Sequence, residues 1–418
     1  MKQIIINGGN SLSGTITIGG AKNSAVALIP AALLSDDKVI ISNIPNISDI
    51  HALTEILEYL GAKIDLKDDT IKIDSSNVIS KEIPESISIK LRASYYFMSA
   101  LLGKYKHVEM FFPGGCAIGA RPIDQTLKGF RALGATVIEE ENRFKIFADQ
   151  LIGAVVYLDM PSVGATINTM LVAVKAIGET TIENAAREPE IVNVANFLTS
   201  MGAKIVGAGT SKIKIIGVNQ LHAGFAEVIP DRIEAGTYII AGAICGENLK
   251  IDNIIPEHLE NLIMKLKEMK VNITVNQTNV IVSKTNYLKP ISLTTMGYPG
   301  FPTDLQQPIT VLLSLANGVS KLEETIYENR FQNVFYLNQM GANIELVNEK
   351  LIMINGPTNY IGGHVIATDL RAGACIILAS LISKNVTKID WAEHILRGYE
   401  NIEQKLKKVG VNIEIIDI

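Results

Sequence analysis

The stretch AKNSAVALIPAALLSDDKVIISNIPNISDIHALTEILEYLGAKIDLKDDTIKI (Ala21–Ile73) holds one complete unit, and its parts read differently. Ala21–Ser35 is apolar on nearly every side, and a helix apolar all round is buried all round. DIHALTEILEYLGA is amphipathic and ends at Gly61, a residue that takes the left-handed position after a helix without steric cost. Beyond it, Ile64 and Leu66, then Ile71 and Ile73, alternate with charged residues. That period of two predicts strands with one wet and one buried face. Buried helices beside half-wet sheets imply an inside-out α/β arrangement, with sheets outside and helices at the centre. A doubly wound sheet would show the opposite, with strands apolar throughout.

The unit recurs. LGAKI at Leu60 is followed by LGATV at Leu133, MGAKI at Met201, MKVNI at Met269, MGANI at Met340 and VGVNI at Val409. The intervals are 73, 68, 68, 71 and 69 residues, so six repeats of about 70 residues fill nearly the whole chain. Only MKVNI lacks the glycine, with Lys270 in its place. Leu91–Gly103, Gly164–Gly178, Ile233–Gly246, Asp304–Gly318 and Asp369–Ser383 repeat the all-apolar helix. Three repeats make a domain of about 200 residues, which predicts two lobes. The expected boundary lies near VIPDRIEAG (Val228–Gly236), giving one lobe over 22–229 and a second over 1–21 plus 230–418. The opening strand is expected to pair within the second lobe.

Composition narrows the partners. A net charge of −5 disfavours nucleic acid or an anionic membrane surface as partner. Cys116, Cys245 and Cys375 are odd in number and widely spaced, which fits a reducing compartment and neither a disulfide framework nor a zinc site. The six histidines show no ligand spacing, so no metal is expected. The apolar run in MKQIIINGGN is too short for a signal peptide, and no uncharged apolar stretch reaches membrane-spanning length. The expectation is a soluble cytoplasmic protein, monomeric or weakly oligomeric, acting on small molecules.

Charged and polar residues mark the starts of the apolar helices: Lys22 and Asn23, Arg92, Arg232 just ahead of the fourth, Asp304, then Asp369 with Arg371. Arg121, Arg330 and Arg397 fall on intervening loops. Helix N-termini favour anions, and several arginines added to them suit a phosphate together with a carboxylate. Asp304 and Asp369 fit equally well as helix caps or as proton acceptors inside a cationic cleft, and spacing does not separate the two. PGGCAIGARP (Pro113–Pro122) places Cys116 among glycines with Arg121 close by. It reads as a loop bringing a reactive thiol to an anion, or as a buried cysteine in an ordinary turn.

Taken together, several motifs resemble the UDP-N-acetylglucosamine 1-carboxyvinyltransferases, enolpyruvyl transferases of early peptidoglycan synthesis in the EPSP synthase superfamily. The resemblance rests on GGAKNSA (Gly19–Ala25), LRASYY (Leu91–Tyr96), PGGCAIGARPID (Pro113–Asp124), PSVGAT (Pro161–Thr166) and NAAREPEI (Asn184–Ile191). GFPTDLQ (Gly300–Gln306), YENRF (Tyr327–Phe331), TDLRAG (Thr368–Gly373) and RGYENIE (Arg397–Glu403) extend it over the whole length. It implies the two-lobed inside-out α/β barrel and transfer of enolpyruvyl from phosphoenolpyruvate to the 3′-hydroxyl of UDP-N-acetylglucosamine, with no cofactor.

By the same resemblance Cys116 is the general acid and can form a covalent adduct, making it a target of fosfomycin. Asp304 is the base, and Lys22 and Arg397 complete the catalytic set. Lys22, Asn23, Arg121, Arg330, Arg371 and Arg397 would hold phosphoenolpyruvate. Asn23, Arg92, Arg121, Pro122, Ile123, Asp124, Gln125, Ser162, Val163, Asp304 and Ile326 would meet the nucleotide sugar. The chain departs from the family pattern at Gln125 and Thr126, where a His is usual, at Leu396, and at Met160 and Pro161, where some members carry a Lys. Shikimate 3-phosphate transferases share the fold but lack GGAKNSA and the cysteine loop.

Overall fold

The computed structural model describes residues 1–90, 92–114 and 123–418. The expectations for Cys116, Arg121 and Pro122, and the first residue of the helix expected from Leu91, lie outside the described residues. The apolar segments form the helices Lys22–Ala31, Tyr96–Tyr105, Val163–Ala173, Arg232–Cys245, Gln306–Ser314 and Leu370–Leu381. Every residue of Arg232–Cys245 is buried, as is every residue from Ser24 to Ala31. Three segments include a 3-10 turn as well: Ala32–Leu34, Arg92–Tyr95 and Thr303–Leu305.

The described residues divide into two units, Met1–Gly19 with Pro230–Ile418 in one and residues 20–229 in the other. Each unit carries three sheets and three of the buried helices. In the first unit, Lys2–Asn7 lies between Thr387–Asp390 and Asn412–Asp417, with Ile4 opposite Ile389 and Ile415. In the second, Phe225–Glu227 of the third repeat pairs in parallel with Val39–Ser42 of the first, so the end of the unit returns to its beginning. Each core lies between the helices and the inner faces of that unit's sheets.

Alternation of burial holds in Thr70–Asp74, Arg143–Phe147, Lys212–Ile216, Asn279–Ser283 and Leu351–Asn355. It fails in Lys63–Lys67, where Leu66 is 38% exposed, because that strand forms the edge of its sheet and has little core beneath it. The residues after the amphipathic helices, Gly61, Gly134, Gly202, Gly341 and Gly410, all have φ between +93° and +106°. Lys270 takes φ +70° at the equivalent place, so the repeat geometry imposes the left-handed turn even on a residue that disfavours it. Arg232 stands inside its helix, not ahead of it, because Asp231 is the cap. Among the described residues, no helix is long and apolar enough to cross a membrane.

Candidate functional site

In residues 20–229, Lys22 opens its helix and pairs through Nζ with Asp49 Oδ2 at 2.7 Å. Asp49 lies in the first turn of Ser48–Leu60 and is buried. Asn23 beside it is half-buried. The helix start is tied down by Ser24, whose hydroxyl donates to Asn193 Oδ1, while Asn193 Nδ2 donates to the Glu227 carbonyl at 3.0 Å. Arg92 heads the turn Arg92–Tyr95, half-buried, with its guanidinium 5.8 Å from the Tyr95 ring centre. Ser162 caps Val163–Ala173 by accepting from the Ala165 amide at 3.3 Å.

Ile123 leads into the helix Asp124–Ala132. Gln125, one of the departures from the family pattern, donates to Asp159 Oδ2 at 3.0 Å and accepts from the Asp159 amide at 2.8 Å. Lys128 adds an ion pair to Asp159 at 2.7 Å. The hydrogen bond from Lys128, then that from Gln125, holds the Asp159 carboxyl below its ordinary pKa. Gln125 therefore fixes the turn that leads to Met160, Pro161 and Ser162, while Thr126 is buried.

The other unit carries the densest charge cluster. Asp304 sits in the 3-10 turn Thr303–Leu305 that precedes Gln306–Ser314. Its Oδ1 meets Arg330 Nη2 at 2.8 Å and its Oδ2 meets Arg371 Nη2 at 3.1 Å. The arginine side chains are 2% and 6% exposed, against 27% for Asp304. Burial pushes the Asp304 carboxyl up, but Arg371 and Arg330 outweigh it and hold the group well below the usual carboxylate range. Burial alone would lower the Arg371 pKa, and Asp304 turns that into a rise.

Arg371 Nη1 also donates to the Tyr399 hydroxyl at 3.2 Å, and that hydroxyl lies 2.9 Å from Thr237 Oγ1. Thr237 donates its own proton to the Ile233 carbonyl, so Tyr399 donates to Thr237 and accepts from Arg371. Asp369, by contrast, is a cap: its carboxylate accepts from the Arg371 and Ala372 amides. The tertiary structure thus separates two aspartates that spacing leaves alike. Arg397 ends the short helix Glu393–Leu396, half-buried, and Ile326 is 40% exposed.

Two guanidiniums share the Asp304 carboxylate here, with buried Asp231 also within electrostatic reach of Arg371, and such paired forks of donors suit a carboxylate or phosphate. Asp49, Asn193, Thr237 and Tyr399 escaped the sequence reading. Tyr399 lies inside a motif quoted for the resemblance, whereas the others carry no local signal. Among the described residues no cluster of His, Cys, Asp or Glu could hold a metal.

A family model described as EPSP synthase (3-phosphoshikimate 1-carboxyvinyltransferase) matches residues 6–406. The chain is 50% identical over 414 residues to UDP-N-acetylglucosamine 1-carboxyvinyltransferase 2 of Bacillus subtilis (strain 168), covering 99% of this chain and 96% of that one. It is 49% identical over 411 residues to the protein of the same name from Listeria monocytogenes serotype 4b (strain F2365), covering 98% and 97%. Among solved structures, the enolpyruvyl transferase NikO from Streptomyces tendae superposes with a TM-score of 0.91 at 26% identity, covering 99% of both chains. An EPSP synthase from Acinetobacter baumannii shares the fold, with a TM-score of 0.75 at 19% identity over 100% of both.

Proposed function

The chain belongs to the EPSP synthase (3-phosphoshikimate 1-carboxyvinyltransferase) family, and from that premise we propose that it transfers enolpyruvyl from phosphoenolpyruvate to the 3′-hydroxyl of UDP-N-acetylglucosamine, releasing phosphate. The observation that carries the choice of acceptor is 49–50% identity over nearly the full length to two proteins named for that activity. The fold is the two-lobed inside-out α/β barrel of enolpyruvyl transferases, as the likeness to NikO indicates.

In this reading the sugar hydroxyl oxygen adds to C2 of phosphoenolpyruvate, its proton passes to Asp304, and Cys116 delivers a proton to C3. The tetrahedral ketal then loses a proton from C3 and expels phosphate, restoring the double bond. Lys22, Arg121 and Arg397 hold the phosphate, with Arg330 and Arg371 lining the same site. Asn23, Arg92, Ser162, Val163 and Ile326 meet the nucleotide sugar, with residues 121–125.

The Asp304 ion pairs support a refinement of the base assignment. A carboxylate gripped by two arginines carries no proton near neutral pH but is a weak base. An anionic substrate on Arg330 and Arg371 draws the guanidiniums from Asp304, and its basicity rises when the hydroxyl arrives. The same cations then stabilise developing negative charge.

Phosphate release from phosphoenolpyruvate, with UDP-N-acetylglucosamine or with shikimate 3-phosphate as acceptor, tests the proposal. Release that requires the nucleotide sugar and collapses in Asp304→Ala is the expected result. Release with shikimate 3-phosphate instead would move the chain to the other branch of the family. We further infer that it acts in the cytoplasm on small molecules alone.

A further inference from the structure

Glu324 follows the strand Val319–Glu323 and is fully buried. Four donors converge on its carboxylate. Oε1 accepts from the Thr295 hydroxyl at 2.8 Å, the Ile326 amide at 2.7 Å and the Tyr327 amide at 3.3 Å. Oε2 accepts from the Thr303 hydroxyl at 2.8 Å. Thr303 is the residue before Asp304 in the same 3-10 turn. A second tie closes the far end of the segment: Arg330 meets Asp304, and its carbonyl accepts from Gln307 Nε2 at 2.8 Å. Residues 325–330 are therefore fastened at both ends to the turn that carries Asp304.

We propose that Glu324 is a positioning residue for catalysis, fixing the Asp304 carboxylate relative to the acceptor sugar that Ile326 contacts. The inference rests on the roles given above to Asp304 and Ile326, and it adds the group that sets the spacing between them. Proton removal needs a heavy-atom approach of about 2.6–3.2 Å. A misplacement of about 1 Å can cost roughly a hundredfold in rate. One oxygen of Glu324 holds the turn bearing the base, and the other holds the backbone bearing the sugar contact. A buried group with all its bonds made is stiff enough to transmit that spacing.

The test is steady-state kinetics with phosphoenolpyruvate and UDP-N-acetylglucosamine for wild type, Thr303→Val, Thr303→Ser and Glu324→Asp, with a melting curve for each. Thr303→Val keeps the shape and removes only the bond to Oε2. Its kcat is expected to fall about tenfold, with both KM values within about twofold of wild type and at the assay temperature fully folded protein. Thr303→Ser restores the hydroxyl and is expected to recover kcat. Glu324→Asp shortens the side chain and is expected to lower kcat more than Thr303→Val does. A kcat for Thr303→Val equal to wild type, or a loss that Thr303→Ser fails to repair, would overturn the proposal while leaving the transferase reading intact. A wild-type protein without turnover on these substrates would overturn both.

Discussion

Replacing Asp304 by Asn removes the one carboxylate between two buried guanidiniums and keeps its volume. At an effective dielectric near 20, each ion pair contributes about 4 kcal/mol before desolvation is counted. Breaking a buried pair by removing one partner costs about 3–5 kcal/mol, because the remaining charge stays buried. Asp304 is 27% exposed, and solvent screening reduces that to about 2–4 kcal/mol. For a unit of this size the melting point should fall by about 5–15 °C.

The sign of the ligand effect is the sharper test. The freed arginines no longer share their charge with Asp304, so phosphoenolpyruvate should bind the variant more tightly than wild type while turnover collapses. Adding the anion at about 100 times its dissociation constant should return about 2.7 kcal/mol. The carboxyl of Asp304 is held below its ordinary pKa, so its contribution is complete above the unfolded value near 3.9 and is lost only as pH falls further. The gap in melting point between the two proteins should stay level from pH 8 to 5 and close below about pH 4. Differential scanning calorimetry and calorimetric titration measure both quantities. An unchanged melting point, or weaker anion binding in Asp304→Asn, would refute the reasoning.

Three further outcomes are expected. Lys270→Gly relieves the only non-glycine left-handed turn of the six, and should raise stability by about 0.5–1 kcal/mol in a denaturant titration. Burial pushes Glu234 up to about 7 despite its 2.6 Å pair with Lys405. The folded state therefore binds the proton more tightly, and wild-type stability should decline as pH rises from about 4.5 to 7, then level off, with Glu234→Gln flattening the curve. Gly20→Ala drives a methyl into the Asn43 carbonyl oxygen, a backbone atom with no room to yield. It should destabilise by about 1–3 kcal/mol and raise the KM for phosphoenolpyruvate by displacing Lys22.

Repetition, burial pattern and much of the chemistry were legible in the chain. Six recurrences of one helix-to-strand junction, and helices apolar on every side, admit few folds, because such helices have to be enclosed and such strands have to keep one face wet. Local pattern suffices there, since each repeat writes its own burial into its own residues. Lys22, Arg371 and Asp304 stood out because charge at the end of an apolar helix is conspicuous in one dimension.

What the sequence left undecided depends on atoms distant along it. Thr237, Asp304 and Arg371 belong to three successive repeats, yet one chain of contacts joins them through Tyr399. Asp304 and Asp369 occupy like positions in their repeats, but one faces two guanidiniums and the other caps a helix. Asp49 gains its role from a partner on another helix, and Glu324 joins the nearby Ile326 and Tyr327 amides to hydroxyls 21 and 29 residues away. Spacing along the chain fixes which face a residue occupies within its own element. Which carboxylate meets which cation is settled only when the repeats pack together and burial makes every unpaired charge costly.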